Sequence, residues 1–157
     1  MSIDKVREYL KEFGAENGIM EFDVSSATVE LAAEAVGVEP ARIAKSLSFK
    51  IGEGCIVVVT AGDMHIDNKK YKAEFGIKAK MLNFEEVEEF TGFRVGGVCP
   101  FALPENVDVY LDESLKRFET VFPACGTSNS AIELSCDKLE EYSKPKKWVD
   151  VCKISQK

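Results

Sequence analysis

Histidine is nearly absent from this 157-residue chain, with His65 the one example. Ser-His-Asp and Cys-His nucleophile arrangements would therefore have to converge on that one position. The five cysteines, Cys55, Cys99, Cys125, Cys136 and Cys152, contain no Cys-x-x-Cys pair. One histidine and scattered cysteines do not supply the ligand spacing of a structural zinc site. Their odd number also implies free thiols in a reducing cytoplasm rather than a disulfide framework. No apolar run approaches the roughly 18–20 residues of a membrane span. The first residues place Ile3, Val6, Leu10 and Phe13 at steps of three and four, the period of an amphipathic helix and not of a secretory signal. The expectation is a cytoplasmic protein that uses no metal, no cofactor and no membrane.

The length suits one domain, and an apolar content of 45% can build a substantial core. The net charge of −7 opposes nucleic-acid binding at first sight. Its distribution qualifies that reading. Residues 41–80 carry eight basic against four acidic side chains, while residues 1–40 and 81–114 are strongly acidic. The basic group is Arg42, Lys45, Lys50, Lys69, Lys70, Lys72, Lys78 and Lys80. It reads either as solvated surface or as a local patch for a few phosphates.

Pattern and punctuation predict a helix over 2–13 stopped by Gly14, a short strand at 19–22, and a helix capped by Ser26 and ended by Gly37. Pro40 opens a short helical segment to Ala44. Lys45 to Ile51 and Cys55 to Thr60 read as a hairpin around Gly52-Glu53-Gly54. The run Ile56-Val57-Val58-Val59 is apolar on both faces and should be a central strand. Asp67 and Asn83 are candidate caps for helices ending at Gly76 and Gly92. Strands are expected at 78–82, 107–111, 120–123, 131–135 and 148–151, with a helical turn at 113–117 and a short helix at 137–142. Short helices alternating with paired strands predict an α/β (α+β) single domain over residues 1–157.

Two segments carry the functional argument. Lys45-Ser46-Leu47-Ser48-Phe49-Lys50 puts a lysine at the start of a strand-like run. Gly96-Gly97-Val98-Cys99-Pro100-Phe101 is a Gly-Gly turn with a fixed exit angle at proline. A cation facing a bare backbone loop suits a ligand that carries both a phosphate and a carbonyl.

With Ala44-Lys45-Ser46-Leu47, Val59-Thr60-Ala61-Gly62-Asp63, Ile66-Asp67-Asn68-Lys69-Lys70, Thr91-Gly92-Phe93, the 96–101 loop, the run from Val109 to Leu115 and the Gly126 loop in this order, the chain resembles the YbaK/EbsC-type aminoacyl-tRNA deacylases. That family includes the editing domain associated with prolyl-tRNA synthetase, and the match covers about residues 25–152. The resemblance implies a compact fold around a mixed, barrel-like sheet. It implies metal-independent trans-editing: hydrolysis of the ester that joins a wrong, small amino acid such as Ala or Cys to the 3′-terminal adenosine of tRNA for proline. Its implied partners are the tRNA acceptor end and prolyl-tRNA synthetase.

Carried over by position, Lys45 holds the tRNA 3′ end, and its ammonium can bind a phosphate or the reacting oxygen. Gly96, Gly97, Val98, Cys99 and Pro100 form the Gly-x-x-x-Pro loop that fixes the aminoacyl group through backbone groups. Gly126 marks a second pocket loop, in which Thr127 and Ser128 either bind substrate or cap the loop. Phe49, Val98, Cys99 and Phe101 are expected to line the pocket. Asp63 and Asp112 orient Lys45 or water, or else cap strand ends. Cys99 stands where serine is commoner in the family; it is a candidate nucleophile or a small apolar wall. Because aminoacyl esters are already activated, positioning and the substrate's own ribose hydroxyl can carry the reaction without a side-chain base. The alternatives are a non-catalytic tRNA 3′-end binder, and a synthetase-docking module using the acidic stretch Glu85 to Glu89.

Overall fold

Cys55 through Ala61 are buried without interruption, and the rest of the fold is arranged around that strand. The computed structural model describes residues 2–155. In chain order the elements are α1 (Ser2–Lys11), β1 (Met20–Glu21), α2 (Val29–Val36), β2 (Ile43–Ile51), β3 (Gly54–Ala61), β4 (Met64–Ile66), α3 (Asn68–Phe75), α4 (Phe84–Thr91), β5 (Asp108–Asp112), β6 (Thr120–Pro123), β7 (Ser130–Ala131), β8 (Leu134–Ser135), α5 (Cys136–Ser143), β9 (Lys147–Val149) and β10 (Cys152–Ile154). Single 3-10 turns lie at Pro40–Arg42 and Glu113–Arg117.

Six strands form one mixed sheet in the order β8-β6-β2-β3-β5-β9. Its β2–β3 pair is antiparallel, running from Ala44 opposite Ala61 to Ile51 opposite Gly54. β3–β5 and β5–β9 are parallel. The sheet curls into a half-barrel flanked by the short helices, the α+β architecture expected of the chain. Two-stranded ribbons, β1–β7 and β4–β10, close its ends.

The β-branched run of β3 is used on both faces. Val57 and Val59 enter the main core with Val6 and Leu10 of α1, Val87 of α4, Leu139 of α5 and the loop residues Phe93, Cys99 and Phe101. Ile56 and Val58 enter a second core with Phe49, Tyr71, Val149 and Val151. Each buried side chain of this size contributes about 1.5–3 kcal/mol. A third, smaller cluster seats α2 on the sheet through Ala32, Ala33, Ile43 and Phe122.

The predicted caps at Asp67 and Asn83 are present. Asp67 accepts from the N–H groups of Lys69 and Lys70, and Asn83 forms a reciprocal capping box with Glu86. Three expectations are corrected. The α2 cap is Thr28 and not Ser26, because Ser26 is held instead by the carbonyl of Ser128. The run at 131–135 splits into β7 and β8, which pair with different strands, β1 and β6. Residues 78–82 make no strand; Met81 forms only an isolated bridge to Phe49.

Gly62 follows β3 directly beneath α2. A Cβ there would stand 2.1 Å from the Pro40 carbonyl oxygen and 2.7 Å from Val29 Cγ1, and the Gly62 N–H bonds the Ala41 carbonyl at 3.3 Å. Backbone cannot yield as a flexible side chain can. Gly62→Ala is expected to cost about 1–3 kcal/mol by overpacking. Thermal unfolding measured by circular dichroism checks this, with an unchanged melting temperature contradicting the close approach.

Candidate active site

Strand β2 has a neighbour on its outer side only at Ile43 and Ala44, which pair with Phe122 and Pro123 of β6. Farther along, Leu82 N–H donates to the Ser48 carbonyl at 3.2 Å, and Lys50 N–H donates to the Lys80 carbonyl at 2.8 Å. In an antiparallel ladder, outward backbone groups recur every second residue. Ser46 therefore turns its N–H and C=O to the gap between these two contacts. Its hydroxyl is buried and has no hydrogen-bond partner. The gap is a cleft of about 290 Å³ walled by Lys45 and Ser46, by Ala27 and Val29, and by Gly96 and Val98.

Lys45 opens the strand side of the cleft. Its ammonium donates one hydrogen bond to the Met64 carbonyl, and an ammonium has two further donors for a ligand. Burial holds its pKa below the ordinary lysine value, with Cys152, Asp63 and Glu30 acting the other way. Asp63 is itself engaged by Arg117 through two bonds of 2.6 and 3.0 Å. That hydrogen-bonded guanidinium keeps the Asp63 carboxyl below its usual range.

Three loops interlock to make the opposite wall. Phe22 N–H and Ser26 N–H donate to the carbonyls of Asn129 and Ser128 at 2.8 and 2.5 Å. The Asn129 amide returns a bond to the Phe22 carbonyl at 3.0 Å. The 94–98 loop then lies on this pair. Gly97 N–H closes a turn on the Arg94 carbonyl at 2.9 Å. Among the described residues no acceptor takes the N–H of Gly96 or Val98. A Cβ on Gly97 would meet the Gly126 carbonyl oxygen at 2.7 Å, and one on Gly96 would meet Ala27 Cβ at 3.2 Å. The double glycine thus allows backbone to lie on backbone. Beyond it a second hollow of about 420 Å³ is bounded by Glu88, Arg94, Gly97, Thr127 and Ser128.

The structure brings Lys45, Gly96 and Val98 together in the first cleft. It puts Gly97, Gly126, Thr127 and Ser128 along the second hollow. The remaining expected residues stand elsewhere. Phe49 points to the other face of the sheet, its ring 5.0 Å from that of Tyr71. Phe101 is fully buried in the main core beside Tyr9. Cys99 is also fully buried, and its thiol faces the Phe101 carbonyl at 3.5 Å. Burial pushes that thiol up to about 12, so it stays a thiol at neutral pH and is a poor nucleophile. Pro100 is buried at the loop exit. Packing against Tyr71 in the second core explains Phe49, and the inward turn of the 99–101 segment explains the other three.

The Thr127 hydroxyl is engaged within its own loop by Ser130 Oγ at 2.7 Å. Ser128 is exposed and anchors the 25–26 segment through its carbonyl. Asp112 is a buried cap, accepting from Ser114 and Val151 N–H groups at 2.9 Å each. His65 bonds Ser155 on the β4–β10 ribbon. Among the described residues no group of three or more His, Cys, Asp or Glu side chains converges as a metal site requires. Sequence reasoning missed Ser46 and Ser130 as site residues. Alternation along β2 was the available signal for Ser46; none marked Ser130.

Residues 23–142 match the model of the aminoacyl-tRNA editing domain. YwhH of Bacillus subtilis strain 168, a protein of uncharacterised function, is 57% identical over 155 residues, 98% of either chain. EbsC of Enterococcus faecalis, provisionally named a Cys-tRNA(Pro)/Cys-tRNA(Cys) deacylase, is 32% identical over 115 residues, 71% of this chain and 70% of EbsC. A crystal structure described as that of a candidate trans-editing enzyme for prolyl-tRNA synthetase superposes with a TM-score of 0.87 over 97% of each chain, at 29% identity. The family model covers more than half of the chain, and the protein belongs to the YbaK/EbsC-like aminoacyl-tRNA editing domain family.

Proposed function

We propose that this protein hydrolyses the ester linking a small, wrongly attached amino acid to the 3′-terminal adenosine of tRNA, with tRNA for proline carrying Ala or Cys as the first candidates. The observation that carries this reading is the cleft on the open β2 edge. It supplies a cation at Lys45, an unpartnered hydroxyl and backbone edge at Ser46, and unengaged N–H groups at Gly96 and Val98. The family match and the relatives' names support the substrate class.

In this reading, the water oxygen bonds to the ester carbonyl carbon. The acyl carbon–ribose oxygen bond breaks, and the ribose oxygen takes up a proton as the free amino acid leaves. The neighbouring ribose hydroxyl holds the water, since among the described residues no histidine or carboxylate lines the cleft. The N–H groups of Gly96 and Val98 lie in the loop that faces the ester oxygen as charge develops. Lys45 anchors the nucleotide end. Selectivity follows size: Ala27, Val29 and Val98 leave room for a small side chain, and each extra methylene excluded is worth about 1–3 kcal/mol.

The deciding experiment is a deacylation panel under multiple turnover: tRNA for proline carrying Ala, Cys, Ser or Pro, and Ala on its own tRNA. Release of one mischarged residue is expected, and Lys45→Ala should slow it at least about tenfold through loss of a charge-assisted contact. Equal rates for the variant would remove Lys45 from the site. Release from no panel member would leave the domain as a binder of the tRNA end or a synthetase-docking module.

Two further variants separate loop from thiol. Gly97→Ala should cut kcat while the far-ultraviolet spectrum stays native, because the added methyl drives the 94–98 loop off Gly126. Cys99→Ala should retain kcat within about threefold, as expected for a buried thiol of raised pKa. A loss of a thousandfold or more in Cys99→Ala would restore a nucleophilic role.

A further inference from the structure

The first turn of α4 carries an aromatic ring that the described residues leave largely uncovered. Phe84 is 75% exposed, and among the described residues no ring packs on it. Its backbone is nevertheless rigidly held. Asn83 and Glu86 cap the helix reciprocally. Glu86 also pairs with Lys50 of β2 at 3.1 Å, and Leu82 N–H bonds Ser48. The segment is therefore fastened along the same strand edge that forms the cleft.

Its place relative to the cleft follows from helix geometry. Val87 and Glu88 lie three and four residues on, on the same face of α4 as Phe84. Val87 lines the cleft and Glu88 the adjoining hollow. Met81 lines the cleft from the other side of Asn83 and is 57% exposed. Facing them, Val95 is 52% exposed on the rim. The mouth is thus apolar, and the Phe84 ring stands on the helix turn next to it. Lys78 and Lys80 lead up to it, exposed and without an ion pair among the described residues. The Asn83 N–H, the Lys50 ammonium and, farther out, Lys80 draw the Glu86 carboxyl below its ordinary range.

We infer that Phe84, backed by Met81, is a stacking platform for the unpaired base next to the terminal adenosine. This rests on the reading that the cleft takes the 3′ end of a tRNA. A polynucleotide whose last residue enters the cleft must continue out through the mouth. Its next nucleotide presents a flat π-face and a phosphate, and an uncovered ring beside unpaired lysines matches both. The contact is indifferent to base identity, so it positions the single-stranded end without reading sequence. Phe84 is a positioning residue and touches no reacting atom.

The test uses the full chain and an RNA acceptor hairpin with a single-stranded 3′ overhang, intact or abasic at the penultimate nucleotide, with binding followed by fluorescence anisotropy. Phe84→Ala should weaken binding of the intact hairpin about five- to tenfold, leave the abasic hairpin unaffected, and be restored by Phe84→Trp. The coupling between the variant and the abasic site isolates the stack. Equal losses with both hairpins, or no loss with either, would overturn the inference. So would a dimer that dissociates on Phe84→Ala, which would assign the ring to a second copy of the chain. The deacylation panel is read separately. Hydrolysis without coupling sinks the stack alone, and coupling without hydrolysis sinks the enzymatic reading alone.

Discussion

Everything at the site depends on β2 being paired on one side and abandoned on the other. A strand edge in the middle of a sheet leaves peptide groups in want of partners, and such groups are costly to bury unsatisfied. β6 satisfies the edge at Ile43 and Ala44, and the chain before α4 satisfies it from Ser48 onward. Between them Ser46 is left without a partner. Lys45, one residue earlier on the alternating strand, meets the Met64 carbonyl, so the cation and the open edge are adjacent without competing for one face.

Much of the scaffold was legible because it rests on local rules. Val57, Val58 and Val59 announce a strand covered on both faces, and it is the centre of the sheet. Asp67 and Asn83 announce helix starts by the side-chain acceptors they offer. What failed depended on partners distant in sequence. The run at 131–135 has strand composition throughout, but its halves serve different sheets. Residues 78–82 run beside β2 yet keep only an isolated bridge.

The site was legible in its backbone and less so in its side chains. Lys45 and Gly96 stand across one cleft, and Gly97 borders the adjoining hollow. Proximity in sequence to Gly96 says nothing about which way Cys99 and Phe101 turn, and both go inward, where the main core needs their volume. Phe49 has the parity of Lys45 but is lost to the cleft because its ring packs on Tyr71 in the second core. Ser46 and Ser130 look like ordinary filler in sequence. Their importance comes from a missing partner in one case and from tying a loop together in the other.

The contact of Gly97 with Gly126 divides the walls of the cleft into two kinds. One is main chain laid on main chain and has no side chain to exchange. The other belongs to α2 and the segment leading into it, where Ala27, Val29 and Ala32 present ordinary Cβ groups. Sequence drift can enlarge or narrow the second wall residue by residue, but it cannot reshape the first without parting the loops. On the proposed reading, the amino acid admitted can change with the second wall while the loop wall toward the ester stays as it is, because the two are borne by opposite sides of the same space.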